Sequence, residues 1–169
     1  MSSAPDTLTF SQNRDRERGF ARLGLVLLLA IVVAALLNVF GQRPATTTAS
    51  VAAARLQIYG PSAVRGGLVY TVRIRIDARR ELKKAVLVLA PGWADQYTFN
   101  GIAPQPLGEA SANGKLSFTL GHIASGSHYT LFLSLQVNPT NVGHHGQQVW
   151  LYDGNRQLAF IDHEISIWP

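Results

Sequence analysis

The sequence predicts an all-β antiparallel sandwich of seven to eight strands behind one N-terminal transmembrane α-helix, and three observations predict it. An apolar stretch runs from Leu23 to Phe40, eighteen residues without a charge between Arg22 and Arg43. Beyond it, apolar and polar side chains alternate with period two in run after run, as half-buried strands require. Between those runs fall turn-forming pairs such as Gly60-Pro61, Pro91-Gly92, Asn113-Gly114 and Asp153-Gly154.

Residues 1–22 are expected to be a disordered cytoplasmic tail, because a segment holding Ser2, Ser3, Pro5, Ser11, Gln12 and Asn13 has too little apolar surface to fold alone. Residues 23–40 follow as the membrane helix. At about 1.5 Å per residue they reach roughly 27 Å, close to a hydrocarbon core, and Asn38 is their one strongly polar side chain. Arg14, Arg16, Arg18 and Arg22 precede the helix while Arg43 alone follows closely, so the basic imbalance puts the N-terminus inside. A cleaved signal peptide is the competing reading; its apolar region is usually about 7 to 15 residues, shorter than this one. The spacing Ala30 to Ala34 would let two such helices approach.

Residues 41–54 are small and uncharged apart from Arg43 and read as a spacer. Residues 55–169 then form the extracytoplasmic domain, enough for one sandwich-sized core. With no cysteine, that core stands without disulfides or thiolate metal sites. Arg outnumbers Lys twelve to three, a bias of GC-rich bacterial genomes.

The strands follow in order. Leu56 to Tyr59 comes first. Tyr70, Val72, Ile74 and Ile76 then alternate with Thr71, Arg73, Arg75 and Asp77, so Arg73 and Arg75 face away from the core. Ala85 to Ala90 is apolar throughout, as where both faces are covered. Tyr97 to Ile102 is next, and then Leu116, Phe118 and Leu120 repeat the alternation. Tyr129, Leu131, Leu133, Leu135 and Val137 show it most clearly. Gln148 to Asp153 and Gln157 to Trp168 complete the set. In the last run the apolar positions shift from Leu158 and Phe160 to Ile161, Ile165 and Ile167, which predicts a β-bulge near Asp162. No helix beyond the anchor is expected, and this strand count suggests an immunoglobulin-like sandwich.

Three segments carry a resemblance. GGLVYTVRIRIDA at residues 66–78, AVLVLAPGW at 85–93 and LGHIASGSHYTLFLSLQV at 120–137 resemble the conserved-repeat Ig-like domains of bacterial surface proteins, which have a GxxVxYTV strand, an apolar strand ending in Pro-x-Gly, and an LGxLxxG turn. Val69, Tyr70, Thr71, Pro91, Gly92, Leu120, Gly121, Ile123 and Gly126 occupy comparable places. The likeness covers about seventy residues and implies a fold without catalytic residues. As a whole the chain is similar to small single-pass membrane proteins of actinobacterial type. It departs from the repeat family in its single domain on an N-terminal anchor.

Two groups stand out as interaction candidates. Arg73, Arg75, Arg79, Arg80, Lys83 and Lys84, with Asp77 and Glu81 interspersed, form the densest charge feature, and a strand pair leaving the spacer and returning would put the turn holding Arg79, Arg80, Lys83 and Lys84 at the membrane-proximal end, near anionic headgroups. Trp150 and Tyr152 share one strand face opposite Val149 and Leu151, so an outward pair would make an aromatic strip. Of the histidines His122, His128, His144, His145 and His163, four read as plain loop residues, His122 and His128 flanking the Ser-Gly turn and His144 and His145 in a Gly-flanked loop, rather than as metal ligands. Ser125 and Ser127 beside His128 read as a hairpin turn, and Asp153 and Asp162 as turn and strand residues. No cofactor, metal or nucleic-acid partner is expected, the basic residues being divided across the bilayer.

The reading is of a non-enzymatic accessory protein of the cell membrane. Residues 23–40 meet lipid and the outer domain contacts an integral membrane or envelope protein. The alternative is a module binding envelope carbohydrate or anionic polymer.

Overall fold

The computed structural model describes residues 7–37 and 43–169, with side chains described from Gly19 onward. The chain divides into two compact units, residues 1–41 and 42–169. Serines 2 and 3 and Pro5 of the expected tail lie outside the described residues, as do positions 38–42, which include Asn38, Phe40 and part of the expected spacer.

The first unit is one helix, α1 (Thr7–Leu36), 30 residues long. It therefore begins well before Leu23, inside the segment expected to be disordered. Arg and Glu favour helix and no Pro interrupts Thr7 to Arg22, so the apolar helix propagates backwards through the charged turns. Its window Gly19–Leu36 has a mean hydropathy of 2.5 and none of it is buried. Apolar side chains project all round, from Phe20 (74% exposed) to Leu36 (80%). That pattern suits a membrane-spanning or signal segment.

The second unit holds eleven strands in two sheets among the described residues. One sheet has five: β1 (Pro44–Ser50), β2 (Ala54–Pro61), β4 (Val69–Ala78), β9 (His128–Val137) and β6 (Tyr97–Ala103), in that spatial order. The other has six, in the order β3 (Ala63–Arg65), β11 (Arg156–Trp168), β10 (Gly143–Asp153), β5 (Leu82–Leu89), β8 (Lys115–Ile123) and β7 (Gly108–Ala112). All neighbours are antiparallel except β3 and β11. All eight expected strands are present. The architecture is richer than the expected seven or eight because β1, β3 and β7 lack the large apolar alternation that reveals a strand in sequence.

Strand β1 is the main correction. PATTTAS was expected to be spacer, yet it pairs along its whole length with β2, from Pro44↔Pro61 to Ser50↔Arg55. Three consecutive threonines suit extended backbone, and at a sheet edge small side chains suffice.

A single core joins the sheets. Leu56, Ile58, Val72, Ile74, Leu131, Leu133 and Leu135 from one side meet Leu87, Leu89, Val149, Leu151, Ile161 and Ile165 from the other, all 3% exposed or less. A second helix, α2 (Pro91–Gln96), corrects the expectation of none. Pro91 starts it in the first turn, where a missing N–H costs nothing. The turn inserts Trp93, 0% exposed, against Tyr97 at 6.1 Å between ring centroids, and the indole Nε1 donates to the Gln148 carbonyl at 3.1 Å.

The expected bulge is displaced. The β10–β11 register shifts between Leu151↔Ala159 and Tyr152↔Gln157, so the extra residue is Leu158, not one near Asp162. From Ala159 onward the inward positions run unbroken through Ile161, His163, Ile165 and Ile167. His163 made the pattern look broken because it is a polar residue at a core position.

Candidate interaction surfaces

The outer face of the six-stranded sheet carries the aromatic strip. Val149 and Leu151 are fully buried, so Trp150 and Tyr152 point outward, each half-buried by its neighbours. Trp150 lies opposite Phe160 on β11 and Val88 on β5, and Tyr152 lies opposite Val86. The Trp150 and Phe160 rings sit 5.4 Å apart, and the Lys115 ammonium lies 4.9 Å from the Trp150 ring centre. Phe160 remains 42% exposed. The cross-strand row thus joins aromatic and β-branched side chains from β11, β10 and β5 into one outward apolar patch with a cation at its rim.

The basic cluster is placed differently from expectation. Strand β1 adds one pass, so the turn after β4 falls at the end of the β unit away from Pro44, beside the Val51–Ala53 turn. The N–H groups of Arg79 and Arg80 both donate to the Ala53 carbonyl, at 2.9 and 3.0 Å. The Arg79 guanidinium donates to Ser50 Oγ at 2.8 Å and to the Val51 carbonyl at 3.1 Å. Arg79 is therefore a brace between turns. A register shift between Leu82 and Ala85 turns both Lys83 and Lys84 to solvent.

Arg73 and Arg75, expected to face away from the core, form a second cationic surface. On the outer face of the five-stranded sheet, Arg73 lies between Tyr59 on β2 and Phe132 on β9, its guanidinium 4.7 Å from the Tyr59 ring centre. Arg75 pairs with Asp77 at 2.7 Å. Arg73, Arg75, Asp77 and Phe132 line an open groove of about 510 Å³ with Arg55, Gln57 and Thr130. Outward alternation of Arg73 and Arg75 was legible; their aromatic neighbours come from other strands.

Inside the β unit, polar groups interrupt the core. Gln147 and His163 are cross-strand partners on β10 and β11, 1% and 2% exposed. Gln147 Nε2 donates to the Tyr70 hydroxyl at 3.0 Å, and His163 Nδ1 shares a 2.7 Å hydrogen bond with Thr47 Oγ1. Burial pushes the Tyr70 phenol far above its ordinary range, and nearby Tyr97 adds to the shift while Gln147 opposes it. Burial also raises Tyr97. Its hydroxyl has no hydrogen-bond partner among the described residues, and neither do Gln147 Oε1 and His163 Nε2. Burial lowers the His163 imidazole, opposed by the Pro61 backbone and the Asp162 carboxylate.

The remaining candidates are dispersed. His122 Nε2 lies 3.0 Å from Glu81 Oε1, His144 bonds Ser166 and His145 bonds Gln96, while His128 is exposed at the start of β9. Among the described residues no three His, Asp or Glu side chains converge as a metal site. Ser125 Oγ donates to the Arg79 carbonyl at 3.0 Å. Asp153 accepts from the Lys84 N–H and Asp162 from Gln148.

No family model and no curated protein sequence matches the chain. Among solved structures it is similar to a β-glucosidase from Listeria innocua, at 12% identity and a TM-score of 0.32, over 76% of this chain and 16% of that one. The chain therefore spans about a sixth of that enzyme's length.

Proposed function

We propose that this protein is a non-enzymatic accessory of the bacterial cell membrane, held by α1 with its N-terminus inside and presenting an Ig-like β-sandwich outside. The sandwich engages a larger integral membrane or envelope protein through the Trp150–Phe160 face. The observation that carries this is the patch itself: Trp150, Tyr152, Phe160, Val86 and Val88 face outward from three adjacent strands with Lys115 alongside. Interfaces draw most of their energy from a few such aromatic anchors, each costing about 2 kcal/mol or more when truncated. Extraction of tagged full-length chain in mild detergent is expected to bring down one stoichiometric companion. Trp150→Ala combined with Phe160→Ala is expected to release it. A companion retained by that double variant would overturn the assignment of the face. For orientation, protease added to intact spheroplasts is expected to digest the β unit; its survival would overturn the topology.

One observation favours the alternative, a module for anionic polymer or carbohydrate. Arg73, its guanidinium pre-oriented by stacking on Tyr59, lines an open groove with Arg55, suited to carboxylate or phosphate. Titration with an acidic cell-wall glycan is expected to show binding that Arg73→Ala weakens at least tenfold if this reading holds, and no binding if the first holds alone.

A further inference from the structure

We infer that the protein forms a two-fold dimer in which the β1 strands of two copies pair edge to edge, antiparallel, with Thr48 at the axis. The inference goes beyond the proposed companion and uses a different surface.

Sheet edges offer unpaired N–H and C=O groups to any passing strand, and proteins usually blunt them with charge, bulges or shortness. Three of the four edges here are blunted. Strand β6 is disrupted by a register shift between Phe99 and Gly101. Strand β3 has only three residues. Strand β7 has five and carries Glu109. Strand β1 is blunted only at its first residue, Pro44; beyond it the strand, seven residues in all, has no charged residue of its own and stays in unbroken register with β2.

The ladder shows which groups are open. The Val51 N–H donates to the Ala54 carbonyl at 2.9 Å. Hydrogen-bonded and non-bonded pairs alternate along an antiparallel ladder, so Ala49, Thr47 and Ala45 bond β2, while Thr46, Thr48 and Ser50 aim their N–H and C=O away from it. The side chains agree that nothing continues the sheet. Inward-facing Ala45, Thr47 and Ala49 stay half-exposed, whereas Ala54, Leu56 and Ile58 on the neighbouring strand are 0% exposed.

A second copy fits this edge by its own symmetry. Placing Thr48 opposite Thr48 sets Thr46 opposite Ser50 twice over, so every outward-facing residue meets an outward-facing residue and each pair exchanges two backbone bonds. A shift of two residues brings in either Pro44, which has no N–H, or Ala52, beyond the strand. The side chains of β1 bring no charge to the axis, where hydroxyls face one another on one sheet surface, and the Arg79 guanidinium on Ser50 Oγ lies at the end of the pairing, off the axis. Pairing consumes both open edges and leaves the disrupted β6 edges outermost, so assembly stops at two.

The chain contains no cysteine, which makes the test direct. Full-length protein in detergent is expected to have the protein mass of a dimer by light scattering. Thr48→Cys is expected to cross-link on mild oxidation, because facing Cα atoms would lie about 5.5 Å apart, within disulfide range. Thr46→Cys alone is expected not to cross-link, but to do so when mixed with Ser50→Cys. Thr48→Pro deletes an N–H that β2 does not use, so it is expected to halve the measured mass while the far-ultraviolet dichroism stays unchanged. A monomeric parent, equal cross-linking of Thr46→Cys, or a Thr48→Pro protein that remains dimeric would each overturn the proposal. The last result would place any association elsewhere, in α1 for example. If Thr48→Pro unfolds, the cysteine pattern alone decides.

Discussion

His163 shows how much one side chain can hide. It occupies a core position on β11, bonded to Thr47 of β1, and is held neutral by burial. The unfolded chain would take up a proton near the ordinary value of about 6.5. Because the native imidazole titrates lower, the unfolded state binds more protons as pH falls through that range, and stability declines with it. Urea midpoints measured from pH 7.5 to 5 are expected to fall, with a shallower slope in His163→Gln; identical slopes would count against the assignment. In sequence the residue interrupts the apolar alternation of the last strand, which is why the bulge is expected beside it, near Asp162. Trp93 is the opposite case, an aromatic of plain sequence and decisive place. Its truncation to Ala is expected to cost about 3–5 kcal/mol in urea unfolding, the range for large aromatic deletions, and a cost below about 1 kcal/mol would mean that α2 does not anchor the core.

At the scale of elements, hairpins follow their turn chemistry closely. Asn113 and Gly114 both adopt positive φ, 51° and 74°, in the two-residue turn between β7 and β8. A Cβ on Gly114 would also lie 3.1 Å from Pro91 Cβ. Gly114→Ala is therefore expected to cost at least about 1 kcal/mol, read as a lowered Tm; an unchanged Tm would refute the turn's role. Arg79 braces the β1–β2 hairpin to the turn after β4. Arg79→Ala is expected to speed amide hydrogen exchange at Val51 to Ala54 while leaving the β9 amides protected. Uniform rates across both would show that the brace is idle. The long strands were legible because each buries one continuous apolar row. Strands β1, β3 and β7 were not, because an edge strand needs only one neighbour and small side chains satisfy it.

Across the whole molecule, the apolar helix and the two-sheet unit differ in the solvent that suits them. The full chain is expected to stay with membranes through alkaline extraction, and a chain starting at Arg43 to appear in the soluble fraction with strand-type circular dichroism. A soluble full-length chain would sink the anchor. Sequence alone determined the apolar segment, the β class, eight strands and the outward direction of Arg73 and Arg75, because each follows from periodicity within a single segment; which of the pairs Trp150 with Tyr152 and Val149 with Leu151 faces out came from the structure. Only tertiary structure decided that the spacer is a strand, that the basic turn lies away from Pro44, and that Trp150 meets Phe160 while Arg73 meets Tyr59. The physical reason is that neighbours across a sheet are set by register between distant segments. One added edge strand reverses which end of the fold every later turn occupies.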